Sequence, residues 1–160
     1  INRHHQDFFE LLFVTHLLGG YFGSRLMKNI REEKGLTYGI YASVHPLVRD
    51  AYFIIGADVN RENRTLTIDE IHKELTLLKT QAVRAEELET SRNHFIGSLQ
   101  AEVTTAFAHA DTFKTILLNH LPENYYQQMI DRVSVMKSDD IQRIANEYFS
   151  IESFTEIAVG

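Results

Sequence analysis

An arginine and a tyrosine flank a glycine turn in the stretch REEKGLTYG, residues 31–39. Arg31 lies one turn before Gly35 in a segment with helical periodicity, and Tyr38 lies in the β-like segment that follows. A helix, a glycine cap and a strand can bring both side chains to one end of a sheet. Arginine offers a fork of donors to a carbonyl or carboxylate, and a tyrosine hydroxyl can donate to an oxygen that becomes negative in a transition state. The spacing by itself fits equally a surface arginine and a tyrosine packed on a neighbouring side chain.

The elements that would position this pair begin with two helices. Residues 4–18 have helical periodicity, with Phe8, Leu11, Leu12, Thr15 and Leu18 on one face. A glycine pair, Gly19 and Gly20, ends this helix. A second short helix is predicted from Ser24, a good N-cap residue, to a C-terminal cap at Gly35.

The segments that follow predict a hairpin and then a helical region. Residues 36–44 and 51–59 are rich in aromatic and β-branched side chains and predict two antiparallel strands. Helical patterns then cover 65–81, 85–103, 104–121, 123–133 and 139–149, and residues 153–160 predict a closing strand. This order indicates an α+β fold with a small, mainly antiparallel sheet covered by several helices.

Composition narrows the function classes. The chain has 160 residues, which suggests one domain over residues 1–160, and a net charge of −6, which argues against nucleic-acid binding. It has no cysteine, so thiolate metal sites and cysteine nucleophiles are excluded. Neither a membrane span nor a signal peptide is visible. The chain starts with Ile1 rather than methionine, and we interpret it as a piece of a longer protein.

Motif searches give few other sites. Eight histidines are present, but neither His-Glu-x-x-His nor His-x-x-Glu-His occurs, so we predict no zinc site in this chain. The glycine-rich run GGYFGSRL lacks the ending of a phosphate loop. It is either a helix-to-helix turn that serves backbone geometry alone or part of a binding surface.

Three stretches together resemble a known family. The run LLGGYFGSRLMKNIREEKGLTYGIYA, followed by EELETSRNHFIGSL and YYQQMIDRVSVMKSDDIQRIANEYF, resembles the C-terminal half-domain of the pitrilysin/insulinase family of zinc metallopeptidases, which includes mitochondrial processing peptidase. REEKGLTY follows the family's Leu-Arg-Glu-x-x-Gly-x-x-Tyr pattern, with Ile30 in place of the leucine. The resemblance covers nearly the whole chain and keeps the family's order.

The resemblance implies one half of a two-half clamshell that closes around a chamber. The family's zinc motif lies in the other half, where zinc activates a water, so zinc is expected in the parent protein and not in this chain. Arg31 and Tyr38 match the family's catalytic arginine and tyrosine, which anchor the substrate and assist the oxyanion. The glycine-rich turn is expected to line the chamber, with substrate-binding candidates Gly19, Gly20, Phe22 and Ser24.

Three situations remain open for the parent protein. It carries the zinc motif itself and is a complete endopeptidase, it supplies Arg31 and Tyr38 to a separate zinc-bearing subunit, or it is a non-catalytic scaffold like the core subunits of respiratory complexes that resemble this family. The isolated chain is expected to be inactive in each case. The expected partners are a zinc-bearing half-domain or subunit, a peptide substrate and a second copy in a dimer. We expect a soluble bacterial protein of the cytoplasm, with the periplasm left open.

Overall fold

Helix α1 (Phe8–Gly19) forms the buried centre of the computed structural model, which describes residues 1–102 and 104–159. Its apolar side chains are at most 4% exposed at Phe8, Leu11, Phe13, Val14, Leu17 and Leu18. Together with the half-buried Phe9 and Leu12 they surround the helix, whereas the sequence predicted a single apolar face. A helix that is apolar all round is one that other elements cover on every side.

The predicted hairpin is confirmed. Strand β1 (Thr37–Pro46) pairs antiparallel with β2 (Ala51–Val59), and Val44 stands opposite Phe53. Residues 47–50 form the turn. The helix-ending role of Gly35 is also confirmed, since its φ of 62° lies in the left-handed region that glycine adopts at low cost.

Helices supply the rest of the described fold, which confirms the α+β class. They are α2 (Arg64–Thr80), α3 (Ala85–Glu102), α4 (Ala106–Leu118), α5 (Tyr125–Val135) and α6 (Ser138–Tyr148), with short 3₁₀ turns at Arg61–Asn63 and Ile151–Ser153. Helices α3, α5 and α6 and strand β1 pack on α1, and α6 also packs on α2. Val103, the last residue of the helix predicted over 85–103, lies outside the described residues.

The second helix differs from its prediction. The segment Met27–Glu33 is a π-helix rather than an α-helix. Ser24 does not cap it through its side chain, because the Ser24 hydroxyl is buried and has no hydrogen-bond partner among the described residues. Only its backbone carbonyl takes part, accepting from the Lys28 N–H at 3.0 Å.

The closing strand predicted over 153–160 is wrong for the described residues. Residues 154–159 form no strand, and a groove of about 600 Å³ lies between them and β2. Backbone hydrogen bonds cannot bridge such a gap, because a ladder needs strands about 4.8 Å apart. Phe154 stays near the sheet through its ring, 5.9 Å from that of Phe53, whereas Val159 is 97% exposed.

Candidate functional site

Arg31 projects from the π-helix Met27–Glu33 and stacks on a neighbouring aromatic ring. Its guanidinium carbon lies 4.6 Å from the centroid of the Phe22 ring, within the range of a cation–π contact. π-helical turns are rare and occur often at functional sites. The structure thus brings together two predicted site residues, although their stacking was not foreseen.

Tyr38 projects from an irregularity at the start of β1. Thr37 pairs with Val59 and Ile40 pairs with Ala57, so two residues of β1 stand opposite one residue of β2. This is the count of a β-bulge, which bends a strand and re-aims a side chain. The Tyr38 side chain is 97% exposed, and its hydroxyl makes no hydrogen bond within the described part of the chain. No contact joins it to Arg31 among these residues.

A buried threonine fixes the base of this bulge. The Thr37 hydroxyl lies 2.6 Å from the carbonyl oxygen of Asp58 on β2 and accepts from the Gly39 N–H at 3.1 Å. Thr37 is 9% exposed, so water has little access to these bonds. The exposed tyrosine therefore stands on a backbone that is held from both strands.

A polar cluster holds the Arg31 segment on α2. The Asn29 amide donates to Glu74 Oε1 at 2.7 Å and to Glu70 Oε2 at 3.0 Å, and Lys34 binds Glu70 at 3.2 Å. Burial raises the pKa of Glu74 above its ordinary value, although the Asn29 bond opposes this. The pKa of Glu70 is lowered, mainly by the hydrogen bond from Asn29. Asn29, two residues before Arg31, is the anchor that sequence reasoning missed.

The glycine-rich turn places its four candidate residues at different depths. Gly19 is buried, and a Cβ at this position would lie 2.6 Å from the Ala42 nitrogen of β1. Ser24 is 1% exposed, so substrate cannot reach either residue in this conformation. Gly20 and Phe22 are exposed. The accessible part of the predicted surface is therefore Gly20, Phe22, Arg31 and Tyr38.

Rings from two helices support the same turn. The His16 ring of α1 stacks on Tyr21 with 4.9 Å between centroids, and Tyr21 stacks on His94 of α3 at 4.4 Å. The Tyr21 hydroxyl lies 2.9 Å from Ser91 Oγ. Burial and the neighbouring His94 lower the pKa of His16 to about 4, so this imidazole is neutral at pH 7.

An ion pair adds a second support on α3. The Arg25 guanidinium donates to both carboxylate oxygens of Glu87, with distances of 2.6 and 3.1 Å. The side chains of Arg25 and Glu87 are 15% and 14% exposed. The sequence showed Glu87 only as a helix first-turn residue, because its partner lies 62 positions away. This pair joins the start of the Arg31 segment to α3.

Metal ligands do not converge in groups of three or more in the described part of the chain. No group of three or more His, Cys, Asp or Glu side chains in residues 1–102 and 104–159 could hold a metal ion. A catalytic zinc with three protein ligands therefore does not fit these residues.

No described helix combines the length and the apolar character needed to cross a bilayer.

Fold and site together define an α+β domain with a half-buried arginine and an exposed tyrosine, and no group of three or more metal ligands among its described residues. Residues 2–95 match the family described as the peptidase M16 inactive domain, and the chain belongs to that family.

Individual relatives and structures agree with this assignment. Over 96 residues the chain is 32% identical to a Bacillus subtilis protein named uncharacterized zinc protease YmxG, covering 59% of this chain and 23% of that protein. Over 151 residues it is 24% identical to a Helicobacter pylori protein named non-peptidase homolog YmxG, covering 94% of this chain and 35% of that protein. The crystal structure of a peptidase M16 inactive domain from Pseudomonas fluorescens has the same fold, with a TM-score of 0.84, 21% identity and coverage of 94% and 36%.

The chain is thus much shorter than its relatives, spanning 23% and 35% of the two curated proteins.

Proposed function

We propose that this chain, over residues 1–160, is the zinc-free half of a zinc-dependent endopeptidase and that it supplies substrate-anchoring and oxyanion-assisting groups to a site completed by another domain or subunit. The observation that carries the proposal is the pair of backbone irregularities at the two candidate residues. Arg31 lies in a π-helix and Tyr38 in a β-bulge. Such irregular backbone costs regular hydrogen bonding and is enriched at functional sites.

Arg31 is suited to hold a backbone oxygen of a peptide. The Phe22 ring below its guanidinium carbon restricts the side chain, while the N–H donors at the edge of the group remain available to an oxygen. Asn29 fixes the segment from below by its bonds to Glu70 and Glu74. A donor held in this way loses less conformational entropy when the substrate binds.

Tyr38 is suited to donate to an oxygen that gains negative charge. Its hydroxyl has no partner in the described part of the chain, so no internal bond must break before it donates. Its backbone is fixed by Thr37. Once the other half closes over this side chain and excludes water, such a donor is worth on the order of 100-fold in turnover. In this proposal Gly20 and Phe22 border the substrate, and Gly19 and Ser24 act beneath them by shaping the turn.

The remaining partners follow from the family. The zinc would be bound by the other half-domain or by a separate subunit, and the name zinc protease carried by the Bacillus subtilis relative supports this. The substrate would be an extended peptide. We also propose a dimer and a soluble bacterial protein, of the cytoplasm or the periplasm.

A scaffold role is the second candidate. The Helicobacter pylori relative is named a non-peptidase homolog, and it covers more of this chain than the Bacillus subtilis relative does. In a scaffold, Arg31 and Tyr38 would have no substrate to bind.

Peptide hydrolysis by the complete protein, together with any zinc-bearing subunit that purifies with it, separates the two candidates. We expect Arg31→Ala and Tyr38→Phe each to lower kcat/KM by on the order of 100-fold. Arg49→Ala, in the hairpin turn, and Tyr52→Phe, near the turn end of β2, are matched controls and should keep the activity.

Full activity of the Arg31→Ala, Tyr38→Phe double variant would refute the assisting role. A complete protein that has no activity with or without a zinc-bearing subunit would support the scaffold instead.

A further inference from the structure

Two imidazoles from different helices meet beside Tyr21, whose ring stacks on both of them next to the glycine-rich turn. His16 Nε2 of α1 lies 3.1 Å from His94 Nδ1 of α3. This is a hydrogen bond in which one ring donates and the other accepts. Neither the family nor the proposed peptidase role assigns anything to this pair.

We propose that His16 and His94 form an exchangeable binding site for a divalent first-row metal ion of the zinc or copper class, with water completing the coordination. The distance is the first argument. Two imidazole nitrogens bound at about 2.0–2.1 Å to a tetrahedral ion stand about 3.3–3.4 Å apart. The observed 3.1 Å falls a few tenths of an ångström short of this value. Because the two nitrogens of a hydrogen bond point at each other, the rings must also tilt so that both lone pairs meet at the ion.

The surroundings are the second argument. His94 is exposed, which gives an ion a path from solvent, while His16 is half-buried and held between Tyr21 and Phe95. The reorientation that binding requires would therefore fall mainly on the exposed His94. With two protein ligands it would be weaker and faster to exchange than a structural zinc site with four.

Binding would connect the metal to the glycine-rich turn. Tyr21 stacks on both rings, and a Cβ at Gly20 would lie 2.7 Å from His16 Nδ1. A bridge between α1 and α3 would therefore hold the turn that carries Phe22. The order of that turn would then depend on the bound metal ion. This dependence would come from His16 and His94 and would not involve Arg31 or Tyr38.

Copper titration of the complete protein, freed of metal by EDTA and followed by electron paramagnetic resonance, tests the proposal. Copper(II) is the probe because imidazole sites bind it most tightly among these ions. The proposed zinc site of the other half would also take up copper, so the histidine pair is identified by difference. We expect the wild type to bind one copper more than His94→Phe, and this additional copper to show hyperfine coupling to two imidazole nitrogens. His94→Phe keeps a ring on Tyr21 but removes the ligand nitrogen, and it should weaken this site by at least about tenfold, since one of two protein ligands is lost.

His109→Gln, on α4, is the matched control and should bind copper as the wild type does. Equal numbers of bound copper ions and equal nitrogen coupling in the wild type and His94→Phe would overturn the proposal. Because the readout is copper binding rather than peptide hydrolysis, this result is independent of the test of Arg31 and Tyr38.

Discussion

Near the candidate site, burial and hydrogen bonding have opposite effects on the pKa of the Glu74 carboxyl. It is 9% exposed, and its Oε1 accepts from the Asn29 amide at 2.7 Å. Burial raises its pKa above the ordinary value of 4.5. The folded protein therefore keeps this proton to a higher pH than the unfolded chain does, and the free energy of unfolding falls as the pH rises above 4.5 and through the folded-state pKa.

Glu74→Gln should remove this dependence. The glutamine oxygen can still accept from Asn29, and no charge remains to be desolvated. We expect the variant to match the wild type near pH 4 and to become progressively more stable than it as the pH rises to 7. Urea unfolding across this range measures the difference, and the exposed Glu89→Gln reports the effect of removing one surface charge. A stability gap that stays constant with pH would contradict the assigned cause.

At the scale of elements, the contact between α1 and β1 depends on the absence of one side chain. A Cβ at Gly19 would lie 2.6 Å from the Ala42 nitrogen and 2.7 Å from the Ala42 Cβ. The nearer atom is backbone and cannot rotate away. We expect Gly19→Ala to destabilise the fold by about 1–3 kcal/mol, the range for overpacking a close contact.

Gly97, inside α3, provides the opposite case. A Cβ at Gly97 would meet nothing within 4 Å. Alanine there should stabilise the protein by about 0.5–1 kcal/mol, because glycine is a poor helix former. Chemical denaturation of both variants checks the pair. Equal stability of Gly19→Ala and the wild type would mean that α1 and β1 are further apart than the structure shows.

The helices and strands differ in how well the local sequence predicts them. The hairpin and helices α2 to α6 follow from local periodicity, since apolar residues recur at the spacing that the final burial requires. The π-helix at Met27–Glu33 does not, because it arises where the segment must meet both α2 and β1. The closing strand predicted over 153–160 is also wrong for the described residues, because residues 154–159 have no partner strand within hydrogen-bonding reach in the described part of the chain.

In the candidate site, too, some features follow from the local sequence and others depend on tertiary packing. The spacing of Arg31 and Tyr38 around Gly35 predicted that both would lie where a helix passes into a strand, and the structure has this order. The bulge below Tyr38 depends on the register of β1 against β2, and the stacking of Phe22 on Arg31 depends on the path of the turn. Both are set by tertiary packing and carry no local signal.

At the scale of the whole molecule, one buried carboxylate joins the beginning of the chain to its end. Glu10 on α1 accepts from Arg132 Nε of α5 at 2.6 Å and also binds Arg143 of α6. Asp7 extends the network, since Arg143 lies 3.0 Å from it and the Tyr148 hydroxyl donates to it at 2.8 Å. Burial opposes ionisation of Asp7, but these bonds prevail and lower its pKa.

Glu10→Gln should loosen the packing of α5 and α6 on α1. The Glu10 side chain is 4% exposed, whereas those of Arg132 and Arg143 are 38% and 47% exposed, so water can partly solvate the two guanidinium groups when the carboxylate is gone. We therefore expect a loss of about 2–3 kcal/mol in the free energy of unfolding, below the 3–5 kcal/mol typical of a fully buried pair. Asp111→Asn breaks the exposed pair with Lys114 on α4 and should cost less than about 1 kcal/mol, because surface pairs contribute little.

Urea denaturation of the Glu10→Gln and Asp111→Asn variants measures this difference in the free energy of unfolding. If Glu10→Gln costs no more than Asp111→Asn, the network does not hold the first helix to the last two, and apolar contacts among these helices carry that role.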